Sequence, residues 1–298
     1  MRFDGASGPK VAIFADCTDK SMPIIDLAQE AEARGFTGLF LNEHPHMPVH
    51  HPRSEFPGGG PIPERYSRFY DPYVALSFVA ATTGLEVGTN ISLVGEHDPI
   101  ALAKAVSTLD MLSNGRFILG VGFGWHREEF EDHGHSAKVR AKVVEEHVRL
   151  MRELWTNEVG SFEGEFVRVS PSWSWPKPVQ RPHPPVLLGV RPSNRNFARI
   201  AAWADGWVPM GAPEFSNGEF PAQVHELRAA WRAGGRDPEK LRLQVQLNMA
   251  PVPKLAELAE RSHELGVERV VVKVTDLPAS ASLERLDAIQ SAFSARFS

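Results

Sequence analysis

The feature that most limits the fold of this 298-residue chain is an eightfold alternation of short apolar runs with amphipathic stretches. The runs are VAIFAD (Val11–Asp16), GLFLNEH (Gly38–His44), LEVGTNISLV (Leu85–Val94), RFILGVG (Arg116–Gly122), PVLLGV (Pro185–Val190), GWVPMG (Gly206–Gly211), LRLQVQLNM (Leu241–Met249) and ERVVVKV (Glu268–Val274). Helix-period patterns follow them over Met22–Arg34, Pro72–Thr83 and Asp98–Gly115, then through Val144, Val148, Met151 and Trp155. Four more cover Asn194–Trp203, Gln223–Ala233, Leu255–Leu265 and Leu283–Phe293. Asp98 and Pro99 are a helix-start pair, and Asn114-Gly115 a stop. Strands that are apolar almost throughout are buried on both faces, which means a parallel sheet covered by helices. Eight such units predict an α/β fold, a (β/α)8 TIM barrel, with residues 1–298 as one domain.

Two segments break the repeat. Pro45–Arg68 holds PGGGPIP, and Thr156–Pro184 holds SWSWPKPVQRPHPP. They read as insertion loops after strands two and four, of a length at which loops are usually functional. The Trp173 and Trp175 pair suggests that the second one packs onto something.

Composition narrows the function. Thirty-two Lys and Arg against 37 Asp and Glu leave a formal charge of −5, which gives no basis for holding nucleic acid. Cys17 stands alone, so no intrachain disulfide can form. No apolar run approaches the roughly 18 residues of a membrane span, and the N-terminus lacks a cleavable apolar leader. A cytoplasmic enzyme acting on a small molecule, away from membranes and nucleic acid, is the expectation.

Barrels of this kind carry their sites at the C-terminal strand ends. Those ends offer Asp16, Asn42-Glu43-His44, Thr89-Asn90, Gly120 to His126, Gly189-Val190-Arg191, Pro209 to Gly211, Asn248, and Lys273, Thr275 and Asp276. His44, His46, His50 and His51 could suggest a metal, but beyond Glu43 no Cys or carboxylate stands at ligand spacing, so none is expected. His44 differs from the other three because it ends a strand, where an imidazole can exchange protons near neutral pH. The GVGFG run lacks dinucleotide spacing. Its glycines either clear the backbone for a flat ligand or allow close packing. Arg191, Ser193, Asn194 and Arg195 precede a helix, as an anion site or as ordinary capping residues.

Taken together, NGRFILGVGFGWHREEFEDHG strongly resembles the strand-four signature of the luciferase-like monooxygenase superfamily, whose barrels use FMN or the deazaflavin coenzyme F420. LFLNEHP, VGTNISLVGEHDPIALAKAVSTLD and ARIAAWADGWVPMG resemble its other motifs, in order over nearly the whole chain. The resemblance implies a catalytic role for His44 beside the reactive ring. It implies a cis peptide at Asn90-Ile91, and a cofactor bed of Gly122, Phe123 and Gly124. Val190, Arg191, Ser193 and Asn194 match its phosphate-binding stretch. Asp16 and Glu43, at neighbouring strand ends, are added as cofactor-binding candidates. The sugar-phosphate dehydrogenase branch carries a glutamate where this chain has Trp125, so a sugar phosphate is not the implied substrate. The expected chemistry is hydride transfer between coenzyme F420 and a small organic substrate, in a homodimer paired through outer helices. The alternatives are FMN-dependent monooxygenation, a non-catalytic flavin-binding protein and a metal-dependent barrel hydrolase.

Overall fold

A computed structural model of the chain describes residues 3, 8–211, 215, 217–247, 250–274 and 278–297. In chain order they form β1 (Lys10–Ala15), α1 (Ile24–Ala33), β2 (Gly38–Leu41), α2 (Pro72–Thr82), β3 (Glu86–Thr89), α3 (Pro99–Leu112) and β4 (Phe117–Val121). There follow α4 (Arg127–Asp132), α5 (Arg140–Thr156), β5 (Val159–Glu163), β6 (Arg168–Trp173), β7 (Val186–Val190), α6 (Asn194–Trp203) and β8 (Gly206–Pro209). The chain ends with α7 (Glu219–Ala233), β9 (Arg242–Gln246), α8 (Val252–Glu264), β10 (Arg269–Val274) and α9 (Ala279–Phe297). β1, β2, β3, β4, β7, β8, β9 and β10 close into a barrel, with β10 returning to β1. The neighbouring strands pair in parallel, as in Ile13 opposite Leu39 and Lys10 opposite Arg269. This is the (β/α)8 barrel expected from the alternation. Among the described residues no helix is long and apolar enough to cross a membrane.

Strand parity sorts every side chain. Successive residues point to opposite faces, so Val11, Ile13 and Ala15 join the large core under the helices. Ala12 and Phe14 turn inward with Phe40, Ile118, Leu187, Val208 and Val271 to fill the lumen. Arg269 also points inward and is fully buried. It pairs with Glu86 at 2.7 Å, and its guanidinium lies 5.5 Å from the centre of the Phe40 ring. Helix starts follow their sequence signals. Asp71 accepts from Val74 N, and Asp98 from Ile100 N and Ala101 N, each just before a proline that opens the helix.

Three expectations change. The third strand stops at Thr89, because the Asn90-Ile91 peptide is cis and a tight helical turn follows at Val94–Glu96. The fourth helix is two helices, α4 and α5. The segment 156–184 is not a loop after strand four. It follows α5 and contains the antiparallel hairpin β5–β6, with Phe162 opposite Val169. A helix-to-strand connection leaves the barrel at the end opposite the strands' C-termini, so this segment does not start near the mouth. The hairpin then climbs α5, where Glu146 accepts from Glu165 N and Phe166 N. Trp173 and Trp175 are exposed, not packed, although Lys177 stands over the Trp175 ring at 5.1 Å.

Candidate active site

Parity carries straight into the strand ends. Along β2 and beyond it, Phe40, Asn42 and His44 point to the lumen and mouth, and Leu39, Leu41 and Glu43 point away. The His44 side chain is 6% exposed and its Nδ1 lies 2.8 Å from an oxygen of the fully buried Glu129. A carboxylate at Nδ1 fixes the tautomer, so Nδ1 donates and Nε2 keeps its lone pair free. Tyr66, Trp125 and Phe69 wall the ring, with centroids at 5.1, 5.6 and 6.1 Å. Glu129 is positioned by His126, whose Nδ1 accepts the Glu129 backbone N–H at 3.1 Å and caps α4. Burial lowers the pKa of His126 and keeps it the neutral acceptor that this cap needs.

The Pro45–Arg68 insertion delivers Tyr66 and closes this wall. Ser54 donates to Glu128, as does Arg53 N. Burial alone would push the Glu128 carboxyl up, but these hydrogen bonds outweigh it and bring it down to about 2. The insertion is thereby tied to α4, the helix that carries Glu129.

Glu43, a cofactor-binding candidate from the sequence, points away from the mouth. It faces the outer shell, where it accepts from His97 Nε2, Ser92 Oγ and Leu93 N, all at 2.7 Å. Burial opposes its charge, but His97 and these donors overcome that and lower its pKa. Asp16 is at the mouth, but its carboxylate is already engaged. Asn42 donates to it at 3.0 Å, and Lys273 and Arg65 approach at 2.8 and 3.1 Å. Asp16 therefore sits between two cations at the mouth.

At the end of the neighbouring strand β3, Asn90 and Ile91 are joined by the cis bond that the family resemblance implies. Asn90 Oδ1 accepts from Gln246 at 3.0 Å, while its Nδ2 is buried with no hydrogen-bond partner among the described residues. A Cβ on Gly122 would sit 1.7 Å from Ile91 Cδ1, and one on Gly120 2.2 Å from the Thr89 carbonyl oxygen. These two glycines thus make room for the end of β3, and close packing alone accounts for them. Gly124 is different: its φ is +70°, a left-handed turn that glycine adopts without strain. Phe123, between them, is half-buried beneath the Arg199 guanidinium at 5.4 Å.

The stretch after β7 divides by the same parity. Val190 is buried toward the helices, and its carbonyl accepts from Met210 N and Trp207 Nε1, so it offers a ligand little. Arg191, Ser193, Asn194 and Arg195 are exposed at the start of α6. Ser193 Oγ accepts from Asn196 N as a helix cap. Neither Arg191 nor Arg195 has an ion-pair partner among the described residues. Asn248, Thr275 and Asp276 lie outside the described residues. Also among the described residues, no group of three or more His, Cys, Asp or Glu side chains could hold a metal ion. His46 instead bonds Asp132, and His51 the Ser54 carbonyl.

Comparison with known proteins bears directly on this arrangement. Residues 11–292 match the family model described as luciferase-like monooxygenase. An uncharacterised protein of Mycobacterium tuberculosis is 41% identical over 281 residues, 91% of this chain and 95% of that one. The FMNH(2)-dependent dimethylsulfone monooxygenase of Pseudomonas putida is 33% identical over 171 residues, 54% of this chain and 44% of its own length. The F420-dependent glucose-6-phosphate dehydrogenase of Kineococcus radiotolerans is 26% identical over 239 residues, 78% of this chain and 66% of its own. Among solved structures, monooxygenase RslO1 from Streptomyces bottropensis superposes with a TM-score of 0.74 at 20% identity, covering 97% of this chain and all of that one. An F420-dependent secondary alcohol dehydrogenase superposes with a TM-score of 0.72 at 15% identity, covering 96% of this chain and 99% of that one.

Proposed function

This chain belongs to the luciferase-like monooxygenase family, and from that premise we propose that it is a cytoplasmic oxidoreductase that transfers hydride between coenzyme F420 and a small organic substrate. The observation that carries this reading is His44, held by buried Glu129 inside an aromatic wall with Nε2 free at the barrel mouth. The residues present fit a flavin-type ring: the unpartnered Asn90 amide supplies a donor at its edge, and the turn at Gly124 supplies bare backbone.

F420 is favoured over FMN by the spread of positive charge past β7. Arg191, Arg195 and Arg199 stand along the start of α6, which suits an extended anionic tail better than a single terminal phosphate. When bound, the deazaflavin supplies the hydride donor or acceptor at C5. His44 moves the accompanying proton through Nε2, and Glu129 holds the ring in the tautomer that can do so. Tyr66, Phe69 and Trp125 keep water from the ring. Separate titrations with F420 and FMN, followed by absorbance or fluorescence, test the assignment. Tighter binding of F420 is expected; equal or tighter FMN binding would sink it. The second reading, FMN-dependent monooxygenation, is supported by the likeness to the dimethylsulfone monooxygenase.

The same proposal includes a homodimer. Val74 and Phe78 expose one face of α2, and Ile100, Met111 and Leu112 are exposed on the adjacent α3. An apolar surface across two neighbouring outer helices fits a second copy of the chain. A monomeric mass by light scattering at micromolar concentration would count against it.

A further inference from the structure

A cavity of about 360 Å³ lies outside the barrel wall, between the β3–α3 connection, the α4–α5 link, α5 and the tip of the β5–β6 hairpin. Its titratable lining is Glu96, His97, Asp98, His133, His135 and His147. Most of these have settled partners or a settled charge. Asp98 caps α3, His97 bonds Glu43, and His147 Nδ1 donates to the Val94 carbonyl at 3.1 Å. Burial lowers the pKa of both His133 and His147, which favours the neutral rings.

Glu96 is the exception. It is 4% exposed, and neither carboxyl oxygen has a partner among the described residues. A charged carboxylate in that state would be costly. Burial first, then the charges of Glu129 and Glu43, push its pKa up to about 10, so it keeps its proton at neutral pH. Its other neighbour is the candidate cofactor loop: a Cβ on Gly124 would lie 3.3 Å from Glu96 Oε1. Glu96 thus faces the cavity on one side and the Gly124 turn on the other, near enough to Glu129 to feel that carboxylate's charge. A cavity of this size and polarity takes roughly ten waters at about 30 Å³ each.

We propose that Glu96 is a proton-relay residue, working through Glu129 to exchange protons between His44 and water in the four-histidine cavity. Nε2 of His44 takes a proton at the mouth, and Nδ1 hands its own to Glu129. Glu129 passes a proton on to Glu96, through water where the two carboxyls do not touch, as Glu96 releases its proton to the cavity. One proton has then crossed from mouth to cavity, and His44 is left in its less favourable tautomer, with no proton between Nδ1 and Glu129, which drives the return. The reverse passage delivers a proton and restores the first tautomer. Water is thus admitted at the flank of the barrel and excluded from the aromatic-walled mouth. This inference deepens the proposed function and rests on it only for what His44 faces at its far end.

The test uses the full chain without cofactor or substrate. Infrared spectra at pH 7 in H2O and D2O are expected to show a protonated carboxyl band that shifts with deuterium and is lost in Glu96→Gln. By NMR, exchange of the His44 Nδ1 proton with solvent is expected to slow in Glu96→Gln and to recover in Glu96→Asp. A band missing from the unmutated protein, or surviving in Glu96→Gln, overturns the proposal, as does unchanged exchange. If Glu96→Gln does not fold, Glu96→Ala replaces it in both measurements, with the same band loss and slowed exchange expected and the same outcomes overturning the proposal. Failure to bind either F420 or FMN would remove the functional reading and leave these two measurements standing.

Discussion

Two carboxylate–histidine pairs flank the end of one strand. Glu129 holds His44 at 2.8 Å, and Glu43 holds His97 at 2.7 Å. The two carboxylates and His44 are buried and His97 is partly so; His44 bonds through Nδ1 and His97 through Nε2. His44 and Glu43 are adjacent in sequence, yet they face opposite sides of the barrel wall. On the mouth side the histidine leaves Nε2 free within a ring of aromatic side chains. On the outer side both Glu43 oxygens are occupied, and Tyr73 extends the network through Ser92 at 2.6 Å. A buried carboxylate–histidine pair can thus be a poised reagent or a fastening for a loop. What separates the two is which face of the strand the residue occupies and whether any polar atom is left over.

The largest expected contrast is in rate. His44→Ala should lower turnover per folded molecule with the true substrate by roughly 10²–10⁴, besides the stability it loses by leaving the buried Glu129 carboxylate without its partner. Single-turnover hydride transfer on one preparation checks it, and an unchanged rate would remove His44 from the chemistry. Glu43→Ala should cost stability without the loss of rate. It strands the Ser92, Leu93 and His97 donors, and breaking a buried pair by removing one partner costs about 3–5 kcal/mol. Denaturant melts should show that loss, while activity per folded molecule stays close to wild type. A variant that lost activity at full stability would erase the distinction between the two pairs.

The outer side is also where stability should answer to pH, through two groups that act in the same direction. Burial works against a charged His97, but Glu43 offsets this and raises its pKa. The stabilisation it brings is full below the unfolded value and is lost as pH rises through the folded one. Glu96, raised to about 10, binds a proton in the folded state that the unfolded chain has released above about pH 4.5. Stability should therefore fall by up to about 1.4 kcal/mol per pH unit between those values. Glu96→Gln removes this slope, so its advantage over wild type should grow from pH 6 to pH 8. Chemical denaturation at several pH values checks this, and parallel curves would refute it.

How much of this was readable in the sequence follows from the same parity. The barrel was legible because each buried strand and its helix carry their own periodicity. His44, the Asn90-Ile91 bond and the strand-four glycines were legible because they sit in contiguous motifs. Glu43 and Val190 were assigned to the site because strand ends were read as sets; counting alternate residues from Phe40 and Leu187 turns both outward. Glu129 could not be paired with His44 locally, since 85 residues separate them. Tyr66 and Arg65 come from an insertion with no period at all. The β5–β6 hairpin was hidden by the proline-rich stretch that follows it and by its mostly exposed strands, which lack a consistent apolar face.

The smallest expected effect tests whether the division by strand face extends to the anion end of the site. Ser193 is exposed, and its hydroxyl oxygen accepts from Asn196 N at 3.2 Å. That bond satisfies one of the free N–H groups at the start of α6, and losing such a cap typically costs about 1 kcal/mol. The hydroxyl hydrogen is not used in the cap and remains available to an anion. If Ser193 only caps the helix, Ser193→Ala should lower the melting temperature by a few degrees, roughly 2–4 °C per kcal/mol for a chain of this size, and leave F420 affinity unchanged. If it also belongs to the cofactor site, as proposed, affinity should fall severalfold as well, and more steeply at low salt where the neighbouring Arg191 and Arg195 act over a longer range. Val190→Ile is the control, because its side chain faces the helices and should alter packing without changing the salt dependence. A Ser193→Ala variant with full F420 affinity at every salt concentration would reduce Ser193 to a cap and leave the arginines to hold the tail.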